Sequence, residues 1–179
     1  MKLKLAAVMQ KLLITLSFIA PILVGCSGAG EDAGLVPTDY GEWASTVDAP
    51  LTYQIPGHSM LKRIIFINGT GQKVMPVEKD GKAFYDYPHG TIIVKEMYPN
   101  SESTKPDHLT VMIKDPDHPN AMVGWVWLVK SIKTGQEEVF ESSDFCVTCH
   151  RNANDRHPYG DRNPEAEFRD YVYYPWRAP

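Results

Sequence analysis

Cys146-Val147-Thr148-Cys149-His150 is a Cys-x-x-Cys-His run, and it restricts the possible folds of this 179-residue chain more than any other segment. Two thiols three positions apart can each add across a vinyl group of one porphyrin. The histidine directly after the second thiol then lies beneath the iron as an axial ligand. Two of the chain's three cysteines fall in this pentapeptide. The motif therefore points to one covalently attached haem c per chain, carried by Cys146 and Cys149 with His150 on the metal.

Other readings of the run stay open at this level. A structural zinc site would need a fourth protein ligand, and no second Cys/His pair has zinc spacing; only His157 lies nearby. A thioredoxin-like pair belongs at the start of a helix after a βαβ pattern, which is missing. A plain disulfide across the loop would leave His150 without a role.

Residues 1–25 have the character of a bacterial lipoprotein signal. Lys2, Lys4 and Lys11 precede an apolar stretch from Leu12 to Val24, broken by Thr15, Ser17 and Pro21. That stretch falls short of the about 20 apolar residues a membrane span needs. Leu23-Val24-Gly25-Cys26 matches a lipobox, which makes Cys26 the lipidated first residue; a conventional cleaved signal or a retained anchor is the alternative. Export also suits the chemistry, because bacteria attach haem c on the outer face of the inner membrane. Ser27 after Cys26 favours lipid anchoring to the outer membrane on its periplasmic side. Residues 26–37, with Ser27 to Gly34 small and polar, form a tether, and 38–179 form the haem domain. Cleavage leaves about 150 residues, enough for one core. The formal charge of −4 becomes more acidic once three lysines are removed, which argues against nucleic acid or an anionic lipid surface as partner.

The remaining chain alternates short β-prone runs with turns. Ile64 to Ile67 ends at Asn68-Gly69, Phe84 to Tyr87 leads into Pro88-His89-Gly90, and Thr91 to Met97 follows. Leu109 to Ile113 closes at Asp115-Pro116, and Gly124 to Leu128 and Glu138 to Phe140 complete the set. No long helical pattern separates them, so the fold class is mainly β (α+β), an antiparallel sheet or sandwich-like domain with a few flanking helices. Helix is expected at Tyr40 to Val47, and from about Ser143 to Asn152 with Ser142 or Ser143 as N-cap of the helix carrying the haem motif.

In this order the segments resemble the cytochrome P460 family, which includes the cytochromes c′-beta. The similarity runs from about residue 38 to 176. It rests on Arg63-Ile64-Ile65-Phe66-Ile67-Asn68, on Tyr87-Pro88-His89-Gly90-Thr91-Ile92-Ile93-Val94-Lys95-Glu96, and on Thr110 to Lys114. Trp125-Val126-Trp127, the haem motif and Arg169-Asp170-Tyr171-Val172-Tyr173 follow. The resemblance implies an antiparallel sheet with flanking helices and a haem c whose distal side is open to a small molecule. Some members oxidise hydroxylamine, and these carry a lysine bonded to the haem edge and a distal carboxylate. The c′-beta members lack the lysine bond and bind nitric oxide or carbon monoxide in an apolar distal pocket.

On that basis Lys95 is the candidate for the haem-bonded lysine. On a strand it shares a face with Ile93 and Met97, and burial there would lower its pKa and make it nucleophilic. Lys82 and Lys114 are alternatives, and a solvated surface lysine is the plainer reading. Glu141 is the candidate distal carboxylate, which would take a proton as hydroxylamine is oxidised; with Glu137 and Glu138 it also reads as an exposed acidic turn. Asp144 or Asp155, or a carbonyl, would fix the second nitrogen of His150. Arg151 or Arg156 could pair with a haem propionate. A sixth ligand from Met60, Met97, Met112 or His157 would instead indicate an electron-transfer cytochrome. A pocket lined by Phe66, Phe84 or Phe140 would indicate gas binding. His58, His89, His108 and His118 lie in turn-like surroundings and read as surface residues. Partners implied are a small-molecule ligand or substrate, a redox partner cytochrome, the membrane through the lipid and, as in relatives, a second copy in a homodimer.

Overall fold

The computed structural model describes residues 34–58 and 62–178. The signal segment, Cys26, the tether before residue 34 and Met60 lie outside the described residues. No helix among the described residues is long and apolar enough to cross a membrane.

The described chain contains eight strands and one α-helix. The strands are β1 (Ala44–Ser45), β2 (Lys62–Ile67), β3 (Val77–Lys79), β4 (Lys82–Phe84), β5 (Ile92–Tyr98), β6 (His108–Lys114), β7 (Trp125–Ser131) and β8 (Glu137–Val139); the helix is α1 (Asp144–Arg151). Six strands form one antiparallel sheet in the order β1-β2-β5-β6-β7-β8, while β3 and β4 make a separate ribbon. Neighbours in this sheet follow one another in sequence apart from the ribbon excursion, as expected for strands joined by turns. The fold is thus a β-dominated α+β domain with a single full sheet. Its second layer is built from loops, α1 and the C-terminal segment rather than from a second full sheet.

One expectation fails at the N-terminal side. Tyr40 to Val47 does not form an α-helix: a single 3-10 turn spans Tyr40–Glu42, and Trp43 is already extended. Ala44 and Ser45 pair with Ile67 and Phe66, so the edge of the sheet captures the segment that local pattern would have wound.

Both faces of the sheet are covered, which explains why its strands read as nearly continuous apolar runs. On one face Ile67, Ile93, Met112 and Trp127 stand in a row across four strands. They pack with Val74, Tyr85, Tyr87 and Val172. On the other, Val94, Leu109, Val111 and Leu128 pack with Val36, and Tyr40 and Trp43 cover them. Each fully buried aliphatic side chain is worth roughly 1.5–3 kcal/mol. The C-terminal segment is tied to the first face: the Tyr85 amide donates to the Phe168 carbonyl at 2.8 Å, that of Phe168 to Ala83 at 3.0 Å, and the Phe84 and Phe168 rings stack at 4.3 Å.

Candidate functional site

Helix α1 places the motif. Its cap is Ser143, as expected: the backbone is non-helical there, and the side-chain oxygen accepts from the Cys146 amide at 3.2 Å. Asp144 in the first turn and His150 and Arg151 in the last complement the helix dipole. Both thiols are unpaired with each other, so the disulfide reading has no support in the structure. One helical turn separates them, and with His150 they border a cavity of ≈ 370 Å³ between the sheet and the C-terminal segment.

His150 is held from behind. Its Nδ1–H donates to the Tyr171 carbonyl at 2.8 Å, so a carbonyl fixes this ring and neither Asp144 nor Asp155 does. That bond fixes the tautomer and leaves the Nε2 lone pair free. Trp127 and Tyr173 meet the ring edge-on at 4.8 and 5.3 Å. Burial, with Lys95 nearby, pushes the His150 pKa down to about 3, so the imidazole is neutral and ready to bind a metal.

The carbonyl is itself positioned by strained backbone. Asp170 and Tyr171 have φ of 48° and 68°, a region that non-glycine residues seldom adopt. Three donors hold the Asp170 carboxylate: Lys114 Nζ at 2.6 Å, the Tyr87 amide at 3.1 Å and Trp125 Nε1 at 3.3 Å. Burial nevertheless raises its pKa, the Lys114 bond and charge working against that rise.

Lys95 enters the cavity from β5 on the face of Ile93, as strand parity requires. Burial, and then the charge of Arg63, lower its pKa to about 7. Near neutrality a large share is therefore free amine, which is the nucleophilic form. Lys82 is exposed and Lys114 is committed to Asp170, so neither competes for the cavity.

Glu141 stands elsewhere. It is exposed, before α1, and does not border the cavity; the described lining contains no carboxylate. Of the aromatic candidates only Phe140 reaches the cavity, while Phe66 packs on Tyr40 across the sheet and Phe84 on Phe168. Of the described candidates for a sixth ligand, Met112 borders the cavity, but Met97 and His157 do not. Arg151 and Arg156 are exposed, and Arg156 donates to the Pro164 carbonyl.

Two cavity residues were not anticipated. Arg63 is fully buried on β2; its Nη2 donates to the Tyr53 carbonyl, while Nε and Nη1 have no partner among the described residues. A buried, unpaired guanidinium is costly, and here its free N–H groups border a cavity without an acid. The sequence signal was its alternation with Ile65 and Ile67, which puts all three on one face. His58, read as a surface residue, instead borders the cavity close to Lys95. The donor set as a whole suits a flat, largely apolar cofactor bearing acidic groups: two thiols and an imidazole at one side, apolar walls, and an arginine for an anion.

A family model described as Cytochrome P460 matches residues 37–174. No curated protein matches the chain.

Proposed function

This chain belongs to the cytochrome P460 family, whose cofactor is haem, and from that premise we propose that it is an exported haem c protein acting on small nitrogen species. Hydroxylamine or nitric oxide would bind at the iron, and electrons would pass to a partner cytochrome. Cys146 and Cys149 would hold the porphyrin by thioether bonds, each thiol adding across one vinyl group, and His150 Nε2 would be the proximal ligand. The observation that carries this reading is that both thiols, His150 and the Lys95 amine border the same cavity. When bound, haem supplies a redox-active iron whose electronics its axial ligand and surroundings tune.

The chain's own residues supply the rest. The Tyr171 carbonyl orients the His150 imidazole, and burial keeps that ring neutral. Arg63 offers two free donors for a propionate, a better placed partner than Arg151 or Arg156. Lys95, which borders the cavity, would bond to the haem edge. That bond would replace one C–H and one N–H, and the two electrons and two protons released would pass to an oxidant of the peroxide class. Trp127 and Met112 line the apolar wall of the cavity.

The export signal and Cys26 support a lipid-anchored protein on the periplasmic side of the outer membrane, and Cys26→Ala should release it to the soluble fraction. A homodimer, as in relatives, belongs to the same reading. The absorption spectrum of the isolated and dithionite-reduced protein tests the whole. A ferrous Soret band far to the red of an ordinary haem c supports a haem-bonded lysine, and hydroxylamine-dependent reduction of an added cytochrome c should accompany it. An ordinary spectrum with no turnover would contradict the enzyme reading.

A further inference from the structure

Ile55-Pro56-Gly57-His58 forms a tight turn at the cavity mouth. The His58 amide donates to the Ile55 carbonyl at 3.3 Å, and Gly57 has φ of 75°. Proline second and a positive-φ glycine third are the requirements of a type II turn. Pro56 and Gly57 are exposed, whereas the His58 ring points inward.

Inside, the His58 and His150 rings are 6.5 Å apart between centroids, with planes at 74°. Two imidazoles sharing one metal, with bonds of about 2 Å and about 1 Å from nitrogen to ring centre, stand about 6 Å apart. The gap thus matches one metal ion and is too short for a metal plus a further ligand. The free nitrogens also agree. His150 keeps Nε2 unoccupied because Nδ1 serves Tyr171. His58 Nε2 lies 3.0 Å from Lys95 Nζ; where Lys95 is charged it can only donate, and Nε2 is then the acceptor that carries the lone pair. A metal at Nε2 would displace Lys95 from that nitrogen. Thr110, Ile65 and Val129 share the Lys95 row and offer no stronger donor for His58.

We propose that His58 is the second axial ligand of the resting iron, opposite His150, and that the Ile55–His58 turn carries it away when a small molecule binds. The inference rests on the haem reading above and deepens it: the site is guarded rather than open. Entry then waits on release of His58, so binding rates level off at high ligand concentration. The motion needed is local, because the turn's two central residues already face solvent.

The test uses the mature holoprotein and carbon monoxide as probe. Unaltered protein should give a low-spin ferric electron paramagnetic resonance signal and sharp ferrous α and β bands. Its carbon monoxide binding rate should reach a plateau. His58→Ala should be high-spin and bind at least tenfold faster, in proportion to carbon monoxide. Lys95→Met should remain low-spin. A high-spin signal from unaltered protein carrying covalent haem would overturn the inference and leave the open-site reading standing; this arm needs no variant. Loss of the low-spin signal in Lys95→Met but not in His58→Ala would place Lys95 on the metal and also overturn it. Low-spin protein that never binds carbon monoxide would uphold His58 as ligand but refute its release and the nitrogen-species reading. Absence of haem would refute both.

Discussion

His150 Nδ1 and the Tyr171 carbonyl oxygen are 2.8 Å apart, and the backbone that presents this carbonyl is held in a left-handed conformation at both Asp170 and Tyr171. Strain of this kind costs on the order of 1–3 kcal/mol per residue and persists only where surrounding bonds enforce it. Here the enforcing group is the Asp170 carboxylate, gripped by Lys114, Tyr87 and Trp125.

Asp170→Asn should therefore cost about 3 kcal/mol, because it leaves the largely buried Lys114 ammonium with only the exposed Asp86 carboxylate, 3.9 Å away, as counter-charge. Adding Lys114→Met should recover much of that loss. Urea unfolding of the two variants checks it, and an effect of Asp170→Asn below about 0.5 kcal/mol, the range of an ordinary surface change, would refute the role given to the pair.

Lys95→Arg should abolish any red-shifted ferrous Soret band while leaving the covalent haem in place. Arginine keeps the charge but has no free amine near neutrality. Because the Lys95 pKa is lowered to about 7, the free amine dominates above that value. Formation of the red-shifted species in reconstituted protein should accordingly be faster at pH 8 than at pH 6. The reverse order would contradict a nucleophilic lysine.

Arg63→Met should have opposite effects in the two forms of the protein. Without haem, made through Cys146→Ala and Cys149→Ala, replacing an unpaired buried guanidinium by a hydrophobe of similar length should be neutral or stabilising. With haem, loss of a propionate partner should lower the thermal midpoint. Equal shifts in both forms would remove Arg63 from haem binding.

Acid should weaken the fold through two histidines. Burial, with nearby positive charge, depresses the folded pKa of His58 to about 2 and that of His150 to about 3. Between pH 6.5 and about 3 the unfolded chain therefore binds more protons, and stability falls as pH falls, by about 1.4 kcal/mol per pH unit for each such group. Above pH 6.5 this contribution is complete. Urea unfolding across pH should show the slope, and His58→Gln should remove one proton's share of it. A variant with the parental slope would show that His58 is not buried neutral.

Much of this organisation was legible in the sequence because it rests on local rules. The strands at Ile64, Thr91, Leu109 and Gly124 were set by β-branched runs ending in turn residues, and the helix by Ser143 and the motif. Lys95 was placed by strand parity alone. Long-range pairing hid the rest. The segment after Tyr40 looked helical until the edge of β2 claimed it. Arg63 sits in a strand apolar on both faces, where alternation does not say which face holds the cavity. His58 follows a Pro-Gly pair, and such turns ordinarily face solvent; only the fold reveals that this one points its last side chain inward. Glu141 was drawn from proximity in sequence to Cys146, but the chain turns it outward before α1 begins.

The central claim is that Cys146 and Cys149 carry one haem with His150 on its iron. Intact-mass spectrometry of protein produced with a haem c maturation system, after extraction in acidified acetone, tests it most directly. The account predicts the polypeptide mass plus one haem, reduced to the polypeptide alone in Cys146→Ala/Cys149→Ala. A haem that acidified acetone removes, or a chain that never gains the haem mass, would contradict it.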